Sequence, residues 1–155
     1  MASVETVNLT LSAGAKQLLS DVSDPKAARV AMLRAVGLRT QSVARRDFLS
    51  GPRSASRLGV VSGRLRRSVI VDERKLPRAV NVGSDVIYAS VHEFGAIIKA
   101  RSAPFLVFTP RGSKRLVRTK RVTIPARPFL APAVEKVFPV EAEPLAEAAI
   151  RAFLR

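Results

Sequence analysis

The chain has 155 residues, 47% of them apolar and none of them cysteine, and its 27 Lys and Arg against 12 Asp and Glu give a formal charge of +15 at pH 7. That length and apolar content suit one domain, 1–155, with one core; the missing cysteine excludes disulfides and thiolate metal sites and fits a reducing cytoplasm. No apolar run approaches the roughly 20 residues that span a bilayer, and Met1-Ala-Ser-Val-Glu-Thr6 lacks the basic flank and apolar stretch of a secretory signal, so a soluble, unexported protein with no membrane partner is expected.

Val7-Asn-Leu-Thr-Leu11 alternates apolar and polar residues and predicts a strand, with an edge free for a neighbouring subunit. Ser12 is placed to cap a short helix through Leu19. Asp24-Pro25 is an N-cap followed by proline at the first helical position, and opens a helix that runs to about Leu49. Val30, Leu33, Val36, Val43 and Phe48 share its apolar face, Arg29, Arg34, Arg39, Arg45 and Arg46 project from the rest, and Gly37 weakens its middle.

The stretch from Ser50 to Gly59 is rich in breakers and basic residues and has no hydrophobic period, which predicts a mobile loop over 50–62. Gly63 to Ser68 leads into a strand, Ser68–Asp72, whose partner is Ala79–Gly83, with Asp72 to Lys75 and Pro77 in the turn between them. Ser84-Asp85 starts a short helix carrying Tyr88, Val91 and His92, and Gly95 ends it. A hairpin follows: Pro104–Thr109 outward, Pro110–Ser113 as the turn, and Leu116–Thr123 returning with alternating basic and β-branched residues. This defines an exposed basic arm over 96–123. Beyond Pro125-Ala-Arg-Pro128, Phe129–Phe138 reads as a helix stopped by Pro139. Glu141–Leu154 reads as another, with Leu145, Ala149, Ala152 and Phe153 on its apolar side.

Catalytic constellations are weak. His92 is the only histidine, the carboxylates are scattered, and Gly83, Gly95 and Gly112 are isolated, with no phosphate-cradling motif. No catalytic residue, metal ligand or cofactor is assigned, and the chain is read as a non-enzyme. Charge is more informative. Between Phe94 and Val134 there is no Asp or Glu, whereas Lys99, Arg101, Arg111, Lys114, Arg115, Arg118, Lys120, Arg121 and Arg127 are all positive. Such a segment suits a polyanion or an acidic partner; the plain alternative is solvated arginines from coding bias. With one tyrosine and no tryptophan, and no helix-turn-helix, zinc-finger or RNA-recognition signature, any nucleic-acid contact should be to phosphate and blind to sequence. The two prolines around Arg127 stiffen its backbone and present it toward Glu93, with Tyr88 stacked nearby. The alternative is that Arg127 and Glu93 are both exposed and unrelated.

Three segments occur in order: Ser62-Gly-Arg-Leu-Arg-Arg-Ser68, then Tyr88-Ala-Ser-Val-His-Glu-Phe-Gly95 after Val82-Gly83, and finally Pro125-Ala-Arg-Pro-Phe-Leu-Ala-Pro-Ala133. Together they resemble the neck and tail-completion proteins of tailed bacteriophages, the virion-morphogenesis family that includes the tail-completion protein of phage Mu. The resemblance covers roughly Val61 to Ala133. It implies an α+β domain: a small antiparallel sheet packed against the long N-terminal helix and the C-terminal helices, with the basic hairpin as an extended arm. It implies a structural virion protein forming a homo-oligomeric, hexameric ring at the head–tail junction. Its neighbours would be the head-closure or connector proteins and the tail-terminator or tail-tube proteins, with genomic DNA passing through the channel. Assembly contacts would fall on the motif residues Gly63, Leu65, Ser68, Tyr88, Glu93, Phe94, Gly95, Arg127, Pro128 and Phe129. The arm would reach an acidic surface on an adjoining layer or line the DNA channel. Two other readings stand beside this one: a non-viral, sequence-nonspecific nucleic-acid-binding protein, and a toxin-like or nuclease enzyme dependent on His92 or Glu93.

Overall fold

The computed structural model describes residues 3–7, 12–52, 58–110, 112–138 and 140–153, with the backbone alone for 3–7. The first strand, β1, is Ser3–Val7. It lies earlier than the expected Val7–Leu11, and residues 8–11 of that expectation fall outside the described residues. Alternation identifies a strand's faces, but the partner's register decides where the ladder begins.

Helix α1, Ala13–Ser20, starts where Ser12 predicts: the Ala15 N–H donates to Ser12 Oγ at 3.2 Å. Helix α2, Pro25–Val43, is capped in the same way, Ala27 N–H donating to Asp24 Oδ1 at 2.9 Å, and it continues as a π-helical turn over Ala44–Phe48. The buried residues of α2 are Ala28, Met32, Leu33, Val36, Gly37, Thr40 and Val43. Val30 and Phe48, expected on this face, are only partly buried. The buried surface is wider than one stripe because α2 is sandwiched, with a sheet on one side and two C-terminal helices on the other. Buried Thr40 meets its own need by donating to the Val36 carbonyl at 2.9 Å. Gly37 has a packing role beyond its low helix propensity: a Cβ there would lie 3.0 Å from Val71 Cγ1 and from Val80 Cγ2, so its absence lets the helix close onto the sheet.

Residues 64–68, expected to lead straight into a strand, form the short helix α3, Arg64–Ser68, opened by Gly63 at φ 69°. Strands β2, Val69–Asp72, and β3, Val80–Ser84, then pair antiparallel about the predicted turn, with Ile70 opposite Gly83. β1 pairs on the other side of β3, Ser3 opposite Ser84, giving a three-stranded antiparallel sheet in the order β1-β3-β2. Helix α4, Ala89–Phe94, follows, and Gly95 ends it at φ 75°.

The expected hairpin is present but differently divided. A strand absent from the sequence reading, β4, Ala96–Lys99, pairs antiparallel with β7, Arg121–Ile124; further out, β5, Leu106–Phe108, pairs antiparallel with β6, Val117–Thr119. The return strand splits at Lys120 because Thr119 folds back on itself, its hydroxyl donating to the Arg121 carbonyl at 2.9 Å. The principal contacts of these four strands are with one another, so the arm stands off the body.

Helices α5, Ala131–Val137, and α6, Ala142–Arg151, complete the fold. α6 buries Ala142, Ala146 and Ile150, while Leu145 and Ala149 are partly buried and Ala152 and Phe153 are exposed. One core cluster joins Val36, Val43, Val69, Val82, Phe129, Leu130 and Val137; the other joins Met32, Leu33, Val80, Ala146 and Ile150. The fold is α+β. Among the described residues no helix is long and apolar enough to cross a membrane.

Candidate assembly site

The site is the joint where the arm leaves the body. The second motif supplies α4, whose last turn carries Glu93. Only 3% of Glu93 is exposed, and its carboxylate is aimed at the third motif. Oε2 accepts from the Phe129 N–H at 2.9 Å and the Leu130 N–H at 3.2 Å, and Oε1 accepts from the Ala131 N–H at 2.9 Å. These are amides at the opening of α5, where a helix has no carbonyls of its own to offer them. A carboxylate there satisfies the donors through charge-assisted bonds and complements the helix dipole. This tertiary cap also explains why α5 begins at Ala131 rather than at the expected Phe129.

Two further contacts tighten the joint. Arg127 N–H donates to the His92 carbonyl at 2.7 Å, so the expected link between the proline segment and α4 runs through backbone at this point. At Gly95 the chain turns with φ 75°, and a Cβ would lie 3.0 Å from both the Ala126 nitrogen and the Ile124 oxygen. Glycine is required there for conformation and for clearance, because the returning strand crosses directly over it. The outgoing strand begins at once, Ala96 opposite Ile124. Both roots of the arm are thus fastened at the end of α4, and Phe129 and Leu130, fully buried just beyond, each contribute roughly 2 kcal/mol of apolar burial.

The first motif lies beside this joint. Leu65 packs against the core, and Ser68 Oγ bonds Ser84 Oγ at 2.7 Å, tying α3 to the end of β3. Gly63, Leu65, Leu58, Leu49, Tyr88 and His92 line a cavity of about 170 Å³ rimmed by Arg64 and Arg66. Tyr88, expected to be stacked near the Arg127–Glu93 pair, sets its ring edge-on to His92, with centroids 5.9 Å apart at 81°. Among the motif residues, then, Glu93, Gly95, Arg127 and Phe129 meet in the joint and Gly63, Leu65 and Tyr88 at the neighbouring cavity. Pro128 and Phe94 face outward, Phe94 being 69% exposed.

The basic residues of the arm stay apart from the joint. Lys99, Arg101, Lys114, Arg115, Arg118, Lys120 and Arg121 are exposed, and Arg111 falls outside the described residues. Arg118 lies over the Phe105 ring, 5.0 Å from its centroid. On the body, cations are matched by neighbouring acids: Arg34 with Glu73, Arg39 with Glu141, Arg74 with Asp72, and both Arg46 and Lys136 with Asp47. Hydrogen bonds from Arg46 and Lys136 lower the Asp47 carboxyl from 3.8 to about 2. The Arg74 contacts hold Asp72 at a similar value, and Arg34 and Arg39 lower Glu73 and Glu141.

The tertiary cap by Glu93 is the feature the sequence reading missed. Its signal was an isolated carboxylate before Phe-Gly, paired with a proline-flanked helix start about 36 residues on.

Residues 52–141 match the family model of the phage virion morphogenesis family, a span that contains all three motifs. No curated protein and no solved structure matches the chain.

Proposed function

The chain belongs to the phage virion morphogenesis family, which gives it a phage structural or assembly role, and from that premise we propose that it is a subunit of a homo-oligomeric ring at the head–tail junction. In this reading the ring is hexameric and completes the tail or joins it to the head, between connector proteins on one side and tail-terminator or tail-tube proteins on the other. The protein works by presenting surfaces and performs no catalysis.

The observation that carries the reading is the joint. The second and third family motifs converge on a fastening, Glu93 on the amides of 129–131 and Gly95 beneath Ile124 and Ala126. The oxygens of Glu93 accept buried backbone donors, and the result of that arrangement is a projecting arm held at a defined angle. Large apolar side chains remain exposed around the body, Ile87 at 86%, Val61 at 71% and Val140 at 74%. Exposed apolar residues of this kind suit a subunit whose contact to its neighbour is heterologous and closes into a ring.

The test is cryo-electron microscopy of particles carrying a labelled copy of this subunit, together with mass photometry of the free protein. Density for a ring at the junction is the expected result. Complete, infectious particles without the subunit would sink the proposal.

A further inference from the structure

The arm carries a feature that its own fold does not need. In the β4–β7 ladder Lys99 stands directly opposite Arg121. Opposed residues of an antiparallel pair share a face with Cβ atoms about 5 Å apart, and like charges in that position are destabilising. The ladder extends one step beyond, Ala100 N–H donating to the Lys120 carbonyl at 3.0 Å, and this brings Arg101 and Lys120 to the same waist. The Thr119 hydroxyl, bonded to Arg121, sets the backbone that presents them. Four exposed cations are therefore gathered on specified backbone, and no acidic residue occurs anywhere in 95–133 to offset them.

A second copy of the chain is a poor receptor for this waist. Outside 95–133 eighteen Lys and Arg face twelve Asp and Glu, and the pairs described above already engage Asp47, Asp72, Glu73 and Glu141 with neighbouring cations. Glu147 pairs with Arg151, and Glu93 is buried. The other acids with described side chains, Asp21, Asp24, Asp85, Glu135 and Glu143, are exposed but spread over the α1–α2 turn, the β3–α4 turn, α5 and α6 rather than gathered opposite four cations.

We propose that the arm binds the phosphate backbone of duplex DNA without reading its sequence, with Lys99, Arg101, Lys120 and Arg121 as the principal contacts. A two-stranded ribbon has the cross-section that the major groove admits. From the waist to Lys114 and Arg115 at the tip the ribbon extends roughly 20 Å at about 3.3 Å per residue, long enough to meet several phosphates in succession. The charge has one sign along that whole length, as a continuous polyanion requires. An acidic protein patch is the competing partner. The inference goes beyond the ring proposal and does not depend on it, since it concerns the arm of the isolated protein.

The experiment is fluorescence anisotropy of the full chain with a labelled duplex of about 20 base pairs at a series of salt concentrations. The wild type is expected to bind with a steep negative slope of log K against log salt. The variant K99A/R101A/K120A/R121A is expected to lose about three to four from that slope, near 0.9 per phosphate contact. The control K16A/K26A/R29A/R78A removes the same charge from the exposed body and is expected to keep most of the slope. Equal losses in the two variants would overturn the proposal, because net charge alone would then explain binding. So would displacement of the DNA by poly-glutamate at equal charge concentration, which would favour an acidic protein partner. Thermal melting adds a second readout: without DNA the arm variant is expected to melt no lower than the wild type, and DNA should raise the melting temperature of the wild type alone. A lower melting temperature for the variant would show these cations to be structural and would also overturn the assignment.

Discussion

Glu93 and Ala131, thirty-eight residues apart, are joined by a hydrogen bond of 2.9 Å from the Ala131 N–H to Oε1, so a carboxylate on the last turn of one helix caps the first turn of another. Two more amides, those of Phe129 and Leu130, share the same carboxylate.

Removing that cap leaves buried donors unmet. Glu93→Ala is expected to lower unfolding free energy by about 3 kcal/mol, and Glu93→Gln by about half as much, since its amide nitrogen cannot accept. Urea denaturation measures both. A neutral Glu93→Ala would show that the joint contributes nothing to stability.

Two glycines with similar positive φ differ in the clearance around them. Gly95 has φ 75° with backbone atoms 3.0 Å from a notional Cβ, whereas Gly112 has φ 82° and open space around it. Gly112→Ala is expected to cost about 1 kcal/mol. Gly95→Ala should cost at least twice that, because Ile124 and Ala126 must also move, and paired thermal melts give the difference.

At Gly37 two effects oppose. Alanine gains about 1 kcal/mol of helix propensity, yet its methyl meets Val71 and Val80 at 3.0 Å in a closed core. Overpacking there costs roughly 1–3 kcal/mol, so Gly37→Ala should be neutral to destabilising by chemical denaturation, against the gain that an exposed helix would show.

Acid stability should follow the body's carboxylates. Asp47 has a folded value of about 2 against 3.8 for a free aspartate side chain, because Arg46 and Lys136 donate to it. A lowered folded value means that its contribution is fully present above about pH 5 and is lost as pH falls through 3.8 toward 2. Asp47→Asn should flatten that part of the melting-temperature profile, while the slopes due to Asp72, Glu73 and Glu141 remain.

Substitution of an exposed apolar residue should separate assembly from folding. Ile87→Asp, at 86% exposure, is expected to keep stability within about 0.5 kcal/mol while abolishing oligomer formation by mass photometry and complementation in phage. Wild-type oligomerisation with this variant would remove Ile87 from the proposed ring contact.

The caps of α1 and α2 were legible because Ser12, Asp24 and Pro25 act within three residues of themselves, and the order of the three motifs identified the family. β4 was not legible: Ala96-Ile-Ile-Lys99 has no alternation, and its pairing is decided by a strand some twenty-five residues later. The role of Glu93 was hidden for a related reason. Its partners are main-chain amides, which leave no trace in side-chain pattern, so reasoning from residue types turned to the cation of the third motif, Arg127. Gly37 looked like a flaw on a helical wheel because a wheel does not include the sheet that presses on it.

Because both roots of the arm are pinned at Gly95 and at Pro125 to Ala131, everything between them is a cassette. Closure entropy changes little with the length of a loop whose ends are already held, so the segment is free to lengthen, shorten or change its charge while the body keeps its packing. A lineage can therefore refit what this subunit reaches without redesigning the part that folds.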